Sequence, residues 1–543
     1  MRIMSIFNYK RRRSSEVRIG DLHLGGENPI RLQSMNNTST NDTDASAEQA
    51  WRIAEAGADL VRLTTQGVKE ASNMANIKSA LRGRGCNIPL VADVHFNPQA
   101  AFKAAETCEK VRINPGNFAD PVHRFQKLEY SDEEYASELR KLEEKFVPFL
   151  NVCKENSTAI RLGVNHGSLS DRIVSRYGDT PKGMVESLME YLRICVAEGF
   201  RDVVLSIKAS NVVVMVETVR LLVREMEREN MSFPIHLGVT EAGNELEGRV
   251  KSAAGIGTLL AEGIGDTIRV SLSEAPEREI PVARKLRDYI VSREGHEMIP
   301  EPAERAPFPA RSVANRLKGF EKTPWPLVEG YDFTLEDGSY RVDASETPEL
   351  LGDGERPVVV SSQSVNPVGE IASWIERFIA LGGRNPIVIR LRYDDRDKED
   401  VTVKAAADFG MLLLNGYGSA IGVDAPALSK EERDELALAI LQAVRLRTSK
   451  PEYIACPGCG RTLFNLEETL AKIKASTKDL VGVKIGVMGC IVNGPGEMAD
   501  ADYGYVGAGP GKVSLYKGQT LIRKNIPESE AVSALLDLIR SDR

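Results

Sequence analysis

The amino-acid sequence predicts a mixed α/β protein: an N-terminal TIM (β/α)8 barrel, a middle β/α insert and a C-terminal α/β domain. Short apolar runs alternate with helical stretches from about residue 29 to residue 290, as in parallel strands joined by crossover helices. A Pro/Ala/Glu-rich connector at 299–309 marks a domain boundary. Because 543 residues exceed the size of one growing hydrophobic core, we expect domains at 1–293, 294–450 and 451–543.

Eight strand-like runs precede the connector. A count of eight within roughly 250 residues favours a closed barrel, and a doubly wound sheet is the alternative. The runs are 29–35, 58–64, 89–96, 110–114, 159–165, 202–210, 234–241 and 267–272.

The middle region is a weaker β/α pattern. Its strand-like runs are 357–361, 386–391 and 411–414, and its charge run at 394–400 is typical of a solvated loop or helix start. This region contains no cysteine. We therefore interpret 294–450 as a structural spacer.

Composition narrows the functional class. The chain is 42% hydrophobic and 27% charged with a net charge of -8, which is typical of a globular protein and argues against nucleic acid as a partner. Neither a membrane span nor a secretory signal is indicated. Seven cysteines in so long a chain are too few for a disulfide scaffold, so we expect a cytoplasmic protein.

Three of the cysteines form a candidate metal site. Cys456 and Cys459 flank a Pro-Gly turn, and Cys490 opens a second turn that contains Glu497. Three thiolates and one carboxylate suit an iron-sulphur cluster with an exchangeable corner. Structural zinc and thiol redox chemistry remain alternatives, whereas the spacing of radical adenosylmethionine enzymes is absent from the sequence. The other four cysteines are interpreted as small buried side chains.

Strand parity predicts a polar barrel interior, because residues two apart on a strand share a face. The charged residues then point inward near the C-terminal strand ends, where barrel active sites lie. The residues that share this parity are Asp93 with His95, Arg112 with Asn114, Ser206 with Lys208, His236 with Thr240, and Arg269 with Ser271, extended by Arg62, Arg161 and Asn165.

The predicted interior has an excess of positive charge. Five cations (Arg62, Arg112, Arg161, Lys208, Arg269) face only Asp93 and Glu241. Such an excess is costly inside a barrel unless an anion compensates it. Guanidinium groups match phosphate oxygens bidentately, so the sequence predicts a phosphate or diphosphate ligand.

With these motifs in order, the chain resembles the 4-hydroxy-3-methylbut-2-enyl diphosphate synthase family of the methylerythritol phosphate route to isoprenoids. The resemblance covers most of the chain. The matching stretches are 33–35, 91–96, 111–117, 161–165, 206–210, 236–243, 262–271, 456–459 and 490–497.

The resemblance implies the reaction and its cofactor. It implies reductive ring opening of 2-C-methyl-D-erythritol 2,4-cyclodiphosphate on the barrel, a 4Fe-4S cluster held by Cys456, Cys459, Cys490 and Glu497, and reduced ferredoxin or flavodoxin as electron donor. Residues 294–450 and a helical insertion near 130–156 match the three-domain branch of the family. The short form is a dimer that closes in trans, so a homodimer is possible here, but the insertion argues against trans closure.

We assign expected roles on this basis. Glu241 is the candidate acid, His95 a second candidate, and Asn493 a neighbour of the cluster, while Glu497 leaves the iron when substrate binds. The expected substrate-binding residues are Arg62, Asp93, Arg112, Asn114, Arg161, Asn165, Lys208, Thr240, Arg269 and Ser271. Two other hypotheses remain: an aconitase-like hydro-lyase, which needs no external electrons, and a non-enzymatic iron-sulphur carrier, for which a cationic barrel has no use.

Overall fold

The computed structural model describes residues 5–120, 129–304, 317–335, 338–352, 354–491, 494–498 and 500–542, without the side chains of Pro495 and Glu497. The chain forms two compact units. The barrel unit comprises residues 13–244, 265–283 and 450–543, and the middle unit comprises 1–12, 245–264 and 284–449. The division into three contiguous domains stays a prediction.

Eight parallel strands form the barrel, and the TIM-type fold predicted from the sequence is confirmed. Their order in the sheet is β8-β7-β6-β5-β4-β3-β10-β9, and a bridge between Leu205 and Ile235 joins β8 to β9 and closes the cylinder. The strands are β3 (Arg31–Met35), β4 (Leu60–Thr65), β5 (Leu90–Val94), β6 (Lys110–Ile113), β7 (Ala159–Asn165), β8 (Val203–Lys208), β9 (His236–Leu237) and β10 (Thr267–Ile268).

A short antiparallel hairpin closes the N-terminal end of the barrel. It consists of β1 (Val17–Ile19) and β2 (Leu22–Leu24). Its apolar side chains form one buried cluster with residues at the beginnings of four barrel strands. The cluster comprises Val17, Ile19, Leu24, Leu60, Val91, Ala159 and Val204.

The last two barrel strands are shorter than the predicted runs 234–241 and 267–272. Each has only two residues. β9 ends at Leu237, and four residues later Glu241 has a left-handed backbone with a φ of 51°. A left-handed residue cannot continue a strand, so the predicted run 234–241 cannot be strand over its full length.

Helices follow the barrel strands in sequence. The helix predicted near 130–156 is confirmed as α5, which begins with a capping box between Ser131 and Glu134. None of the described helices combines the length and apolar character needed to cross a bilayer. The helices up to residue 291 are α1 (Thr43–Glu55), α2 (Val68–Gly83), α3 (Pro98–Ala105), α4 (Pro115–Phe118), α5 (Asp132–Asn156), α6 (Asp171–Tyr177), α7 (Pro181–Ala197), α8 (Val212–Arg228), α9 (Glu245–Ala261) and α10 (Glu279–Val291).

The middle unit contains a five-stranded parallel sheet of order β11-β15-β14-β13-β12. Helix α9 packs within this unit against α12 and α13. The elements are β11 (Leu327–Val328), β12 (Tyr340–Asp343), β13 (Val358–Ser361), α11 (Pro367–Ala380), β14 (Ile387–Arg392), α12 (Lys398–Leu414), β15 (Ala420–Asp424) and α13 (Lys430–Ala443).

One strand prediction in this unit is wrong. Residues 411–414 form the last turn of helix α12, and the strand is β15, which follows the turn at 415–419. The apolar run Met411–Leu413 continues the buried surface of α12, which is buried almost all round, so its composition resembles that of a buried strand. The charge run before it does contain the start of α12, where Asp397 caps the helix.

The C-terminal segment of the barrel unit is a five-stranded mixed sheet of order β16-β17-β18-β19-β20. β16 to β18 are parallel, and β18 to β20 are antiparallel. The elements are β16 (Glu452–Ala455), α14 (Leu466–Thr477), β17 (Lys484–Met488), α15 (Gly494–Glu497), β18 (Tyr503–Gly509), β19 (Lys512–Lys517), β20 (Thr520–Pro527) and α16 (Glu528–Ser541).

Candidate active site

One cavity of the barrel unit lies between the barrel mouth and the cysteine-bearing turns. Thirteen of the site residues predicted from the sequence line it together. They are Arg62, Asp93, His95, Arg112, Asn165, Lys208, Thr240, Glu241, Arg269, Ser271, Cys456, Cys459 and Cys490.

Asp93, on β5, is the central carboxylate of the barrel side. Its oxygens lie 3.1 Å from Nη1 of Arg112 and 3.7 Å from Nε of Arg62. Burial alone would raise the pKa of Asp93, but Arg62 and Arg112 hold it well below its usual value. Asp93 is therefore ionised and shared between two arginines, one on each neighbouring strand.

Arg112 is fixed by contacts on both sides. Its Nη2 donates to the carbonyl oxygen of Gly163 and to Oδ1 of Asn165, both at 2.9 Å. Its Nη1 also contacts Nε2 of His95. Burial and the charge of Arg112 hold the pKa of His95 well below its usual value, so His95 is neutral and carries no proton to donate from an imidazolium.

Arg269 is paired with a carboxylate that the sequence analysis did not identify. Glu279 accepts hydrogen bonds from Nε and Nη2 of Arg269, both at 2.9 Å, in a bidentate pair. Its carboxylate also accepts from Ser34 Oγ at 2.6 Å. Glu279 is the first residue of α10, ten residues after Arg269, and because it does not belong to a barrel strand, strand parity carried no signal for it.

Arg62 makes its closest polar contacts with a sulfur atom. Its Nε and Nη2 lie 3.0 and 2.9 Å from Sδ of Met35. Burial lowers the pKa of Arg62 to about 10 although Asp93 opposes the shift. The guanidinium remains charged at neutral pH, and its carboxylate partner is shared with Arg112.

Lys208 completes the cationic lining of the cavity. Burial and then the charges of Arg62 and Arg161 hold its pKa well below the usual value. An anion that entered the cavity would reverse this effect, because opposite charge stabilises the ammonium form.

Two predicted substrate-binding residues do not line the cavity. Asn114 caps α4, where its Oδ1 accepts from the backbone N–H of Gly116 at 3.0 Å. Arg161, fully buried, lies two positions before Gly163 on β7, deeper in the barrel than the lining residues.

Two residues at the rim have left-handed backbones. Phe96 directly follows His95 with a φ of 60°, and Glu241 directly follows Thr240 with a φ of 51°. A left-handed conformation is costly for residues with a Cβ and concentrates at functional sites. Both occur where a barrel strand ends at the cavity, and Glu241 is only 2% exposed.

The three cysteines come from the ends of two paired strands. β16 and β17 pair in parallel with Ala455 opposite Val487, so Cys456 and Cys490 follow the same edge of the sheet. Cys459 follows a tight turn at Gly458, whose φ is 76°. Sγ of Cys456 accepts a hydrogen bond from the backbone N–H of Gly489 at 3.3 Å.

Direct contacts join the cysteine-bearing segment to the barrel mouth of the same chain. Ser273 Oγ donates to the carbonyl oxygen of Cys456 at 3.0 Å, and Ala242 bridges Ala455. Lys474 Nζ donates to Oδ1 of Asn244 at 2.8 Å. The thiols and the arginines are therefore brought to one cavity within a single chain.

The donor set fits an iron-sulphur cluster. Three thiols line one cavity and a backbone amide donates to one of their sulfurs, which is a common feature of protein-held clusters. Among the described residues, no three His, Cys, Asp or Glu side chains are grouped for a single metal ion. Asn493 lies outside the described residues, as does the side chain of Glu497, so the fourth ligand stays a prediction.

Arg461 is a cavity residue that the sequence analysis missed. Burial would lower its pKa, but the nearby Cys459, Asp93 and Cys490 raise it, and its side chain is hydrogen-bonded to Cys459. It thus lies between the cysteines and the barrel carboxylate. Its position two residues after Cys459 is the sequence feature that could have identified it as a site residue.

Comparison with known proteins gives two family matches. The GcpE TIM-barrel domain matches residues 14–284, and the GcpE protein C-terminal domain matches residues 452–541.

Curated relatives match over nearly the whole chain. A protein of Bacteroides thetaiotaomicron named 4-hydroxy-3-methylbut-2-en-1-yl diphosphate synthase (flavodoxin) is 53% identical, with 99% of each chain covered. A protein of Phocaeicola vulgatus with the same name is also 53% identical, again with 99% of each covered. Among solved structures, a sialic acid synthetase from Leptospira borgpetersenii gives a TM-score of 0.34 at 12% identity, covering 54% of this chain and 95% of its own.

Proposed function

The chain belongs to the GcpE family, and we propose that it converts 2-C-methyl-D-erythritol 2,4-cyclodiphosphate into 4-hydroxy-3-methylbut-2-enyl diphosphate in isoprenoid biosynthesis. The chain is thus an oxidoreductase. The observation that supports this most strongly is that a cation-lined barrel mouth and three cysteine thiols share one cavity.

The barrel residues would bind the substrate through its diphosphate. Arg62, Arg112 and Arg269 present guanidinium groups that suit phosphate oxygens bidentately. Because Asp93 and Glu279 already pair with these arginines, the arginines are held in place before the anion arrives, which lowers the cost of binding. The proposed substrate-binding set also contains Asp93, Asn114, Arg161, Asn165, Lys208, Thr240 and Ser271.

Three cysteines would hold a 4Fe-4S cluster, with Glu497 as its fourth and exchangeable ligand. When bound, such a cluster supplies electrons one at a time and a Lewis-acidic iron. The chain would place it against the substrate by the contacts from Ser273 and Ala242 to the strand that ends at Cys456.

The reaction takes up two electrons and a proton: the carbon–oxygen bond to one phosphate breaks and opens the ring, a neighbouring hydroxyl leaves as water with cleavage of a second carbon–oxygen bond, and a carbon–carbon double bond forms. We propose that Glu241 provides the proton for the departing oxygen, because its carboxylate lines the cavity from a rigid, strained rim position. His95 is neutral, so it would act as a hydrogen-bonding partner of the substrate and not as a cationic acid. Asn493 remains a proposed neighbour of the cluster.

We propose reduced flavodoxin as the electron donor, since the curated relatives carry flavodoxin in their names, with ferredoxin as the alternative. A cytoplasmic location fits seven cysteines of which none forms a disulfide in the part of the chain that the structure describes. Residues 294–450 would serve as a structural spacer, and a homodimer would not be needed to bring thiols and barrel together.

Turnover of the cyclodiphosphate with and without reduced flavodoxin tests this function. We expect product only with the reductant, and two electrons consumed for each product. Turnover without any reductant would instead indicate the hydro-lyase hypothesis. In the same assay Arg112→Ala and Arg269→Ala should raise KM strongly. If the protein showed no turnover and both variants bound diphosphate with unchanged affinity, a non-enzymatic carrier would be favoured.

A further inference from the structure

A second set of polar side chains lies inside the barrel, deeper than the residues that line the cavity. On β3, β6, β7 and β8 they come two or four positions before a lining residue of the same strand, so they share its inward face at a lower level. All are at most 1% exposed. This inner polar layer comprises Gln33, Lys110, Arg161, Ser206 and His236.

The inner polar layer has unfilled hydrogen-bonding capacity. Within the part of the chain that the structure describes, no partner is found for Nζ of Lys110, for any guanidinium nitrogen of Arg161 or for either amide atom of Gln33. Ser206 Oγ and His236 Nε2 also have none. Buried polar atoms are normally hydrogen-bonded, and TIM-barrel interiors are normally filled by branched apolar side chains. This layer therefore has the character of a binding site and not of a packed core.

The layer also contains two basic side chains, Lys110 and Arg161, and no carboxylate. Burial and the charges of Arg161 and Arg62 hold the pKa of Lys110 well below its usual value. Burial, Arg62 and Arg112 have the same effect on the pKa of Arg161. The nearby carboxylate of Asp93 already forms ion pairs with Arg62 and Arg112. An incoming anion would therefore make its most favourable electrostatic interactions with Lys110 and Arg161.

The layer is closed on the side away from the cavity. Below it, the hairpin residues Val17, Ile19 and Leu24 pack against the first residues of the barrel strands in an apolar cluster. Lys110 lies two positions before the cavity residue Arg112, a rise of about 6.6 Å along the strand. The four-carbon stem of a lysine spans most of that distance, so its ammonium group can reach the floor of the cavity.

We propose that Lys110 is an anion-binding residue at the inner end of the cavity, where it contacts one phosphate of a diphosphate alongside Arg161. This inference rests on the proposed function and deepens it. One phosphate would bind the lining arginines, and the other would enter the inner polar layer. The site would therefore prefer a diphosphate over a single phosphate.

The test measures binding of inorganic pyrophosphate and of orthophosphate to the cluster-loaded protein by anaerobic calorimetry. The variants are Lys110→Met and Lys110→Gln, which remove the charge and keep most of the volume, together with Arg112→Ala from the lining. Lys78→Met is the matched control, because Lys78 lies on α2 outside the barrel interior, where it bonds Glu109 and the carbonyl oxygen of Thr107 at 2.6 Å each.

We expect both Lys110 variants to weaken pyrophosphate binding at least tenfold and to affect orthophosphate much less. Without ligand, Lys110→Met should also raise the Tm, because it removes a buried amine that has no hydrogen-bond partner within the described part of the chain. Lys78→Met should lower the Tm and leave pyrophosphate binding unchanged.

Unchanged pyrophosphate binding in both Lys110 variants, with binding lost in Arg112→Ala, would overturn the inner site and leave the proposed function standing. A lowered Tm in both Lys110 variants without ligand would show a structural role and would also overturn it. Absence of pyrophosphate binding by the wild-type protein would overturn the inner site, whereas the proposed function fails only if the cyclodiphosphate is not turned over with reduced flavodoxin.

Discussion

Asp93 balances the positive charge of the barrel mouth, since its carboxylate serves both Arg62 and Arg112. Replacing it with asparagine would leave two buried guanidinium groups without their carboxylate. We expect Asp93→Asn to lower the free energy of unfolding by about 3–5 kcal/mol, measured by urea denaturation at pH 7. Glu48→Gln is the control, because Glu48 forms an exposed pair with Arg84 and should change nothing measurable.

The contribution of Asp93 to stability is expected to decrease as the pH falls. The pKa of Asp93 is held well below its usual value, so its stabilising contribution is fully present above the unfolded-state pKa of about 3.9. The contribution is lost as the pH falls through the folded-state pKa. Equal stability of wild type and Asp93→Asn at pH 7 would contradict this charge balance.

Arg461 connects the cysteine turn with the barrel carboxylate. Its side chain is hydrogen-bonded to Cys459, and its charge interacts with that of Asp93. Hydrogen bonds and positive charge near a cluster sulfur favour the reduced state. We expect Arg461→Gln to lower the reduction potential of the cluster by tens of millivolts, measured by EPR-monitored titration. An unchanged potential at normal iron content would place Arg461 outside the influence of the cluster.

At the scale of elements, the short helix α15 contacts the barrel through a glycine pair. A Cβ on Gly167 would lie 2.3 Å from the carbonyl oxygen of Gly496, so only glycine permits this approach. We expect Gly167→Ala to displace the turn that carries Glu497 and to reduce turnover at least tenfold at constant iron content. The control is Gly199→Ala, which has a similar positive φ but no atom within 4 Å of its Cβ.

If Gly199→Ala reduced turnover as much as Gly167→Ala, backbone strain and not the contact with α15 would be responsible. Equal turnover in both variants and wild type would show that the approach of α15 to this loop has no catalytic importance.

Strand parity predicted the barrel side of the cavity because a period of two residues fixes which side chains point inward. It placed Arg112 and Lys208 correctly at the cavity. Parity cannot assign contacts made by turns and helix starts, so Glu279 and Arg461 were missed. It also fails where a helix is buried all round, as at residues 411–414. The metal-ligand role of Glu497 and the catalytic role of Glu241 stay predictions.

At the scale of the whole molecule, the chain forms two compact units, each with its own buried charges. Asp408 in the middle unit accepts from Tyr289 and Tyr393 hydroxyls at 2.6 and 3.1 Å and pairs with Arg293. Because compact units with separate cores often unfold separately, we expect two calorimetric transitions. Asp408→Asn should lower the midpoint temperature of one transition, and Asp93→Asn should lower that of the other. A single transition shifted equally by both variants would contradict this division.

A four-iron cluster held by three thiols, with a carboxylate on its fourth iron, would meet an anion among the barrel arginines. Mössbauer spectroscopy of the anaerobically purified, iron-57-labelled protein with and without the cyclodiphosphate tests this most directly. We expect a four-iron cluster in which one iron site changes its isomer shift when the substrate binds, and no such change in Arg112→Ala. A protein that holds only zinc, or a cluster spectrum that the substrate leaves unaltered at saturation, would contradict the claim.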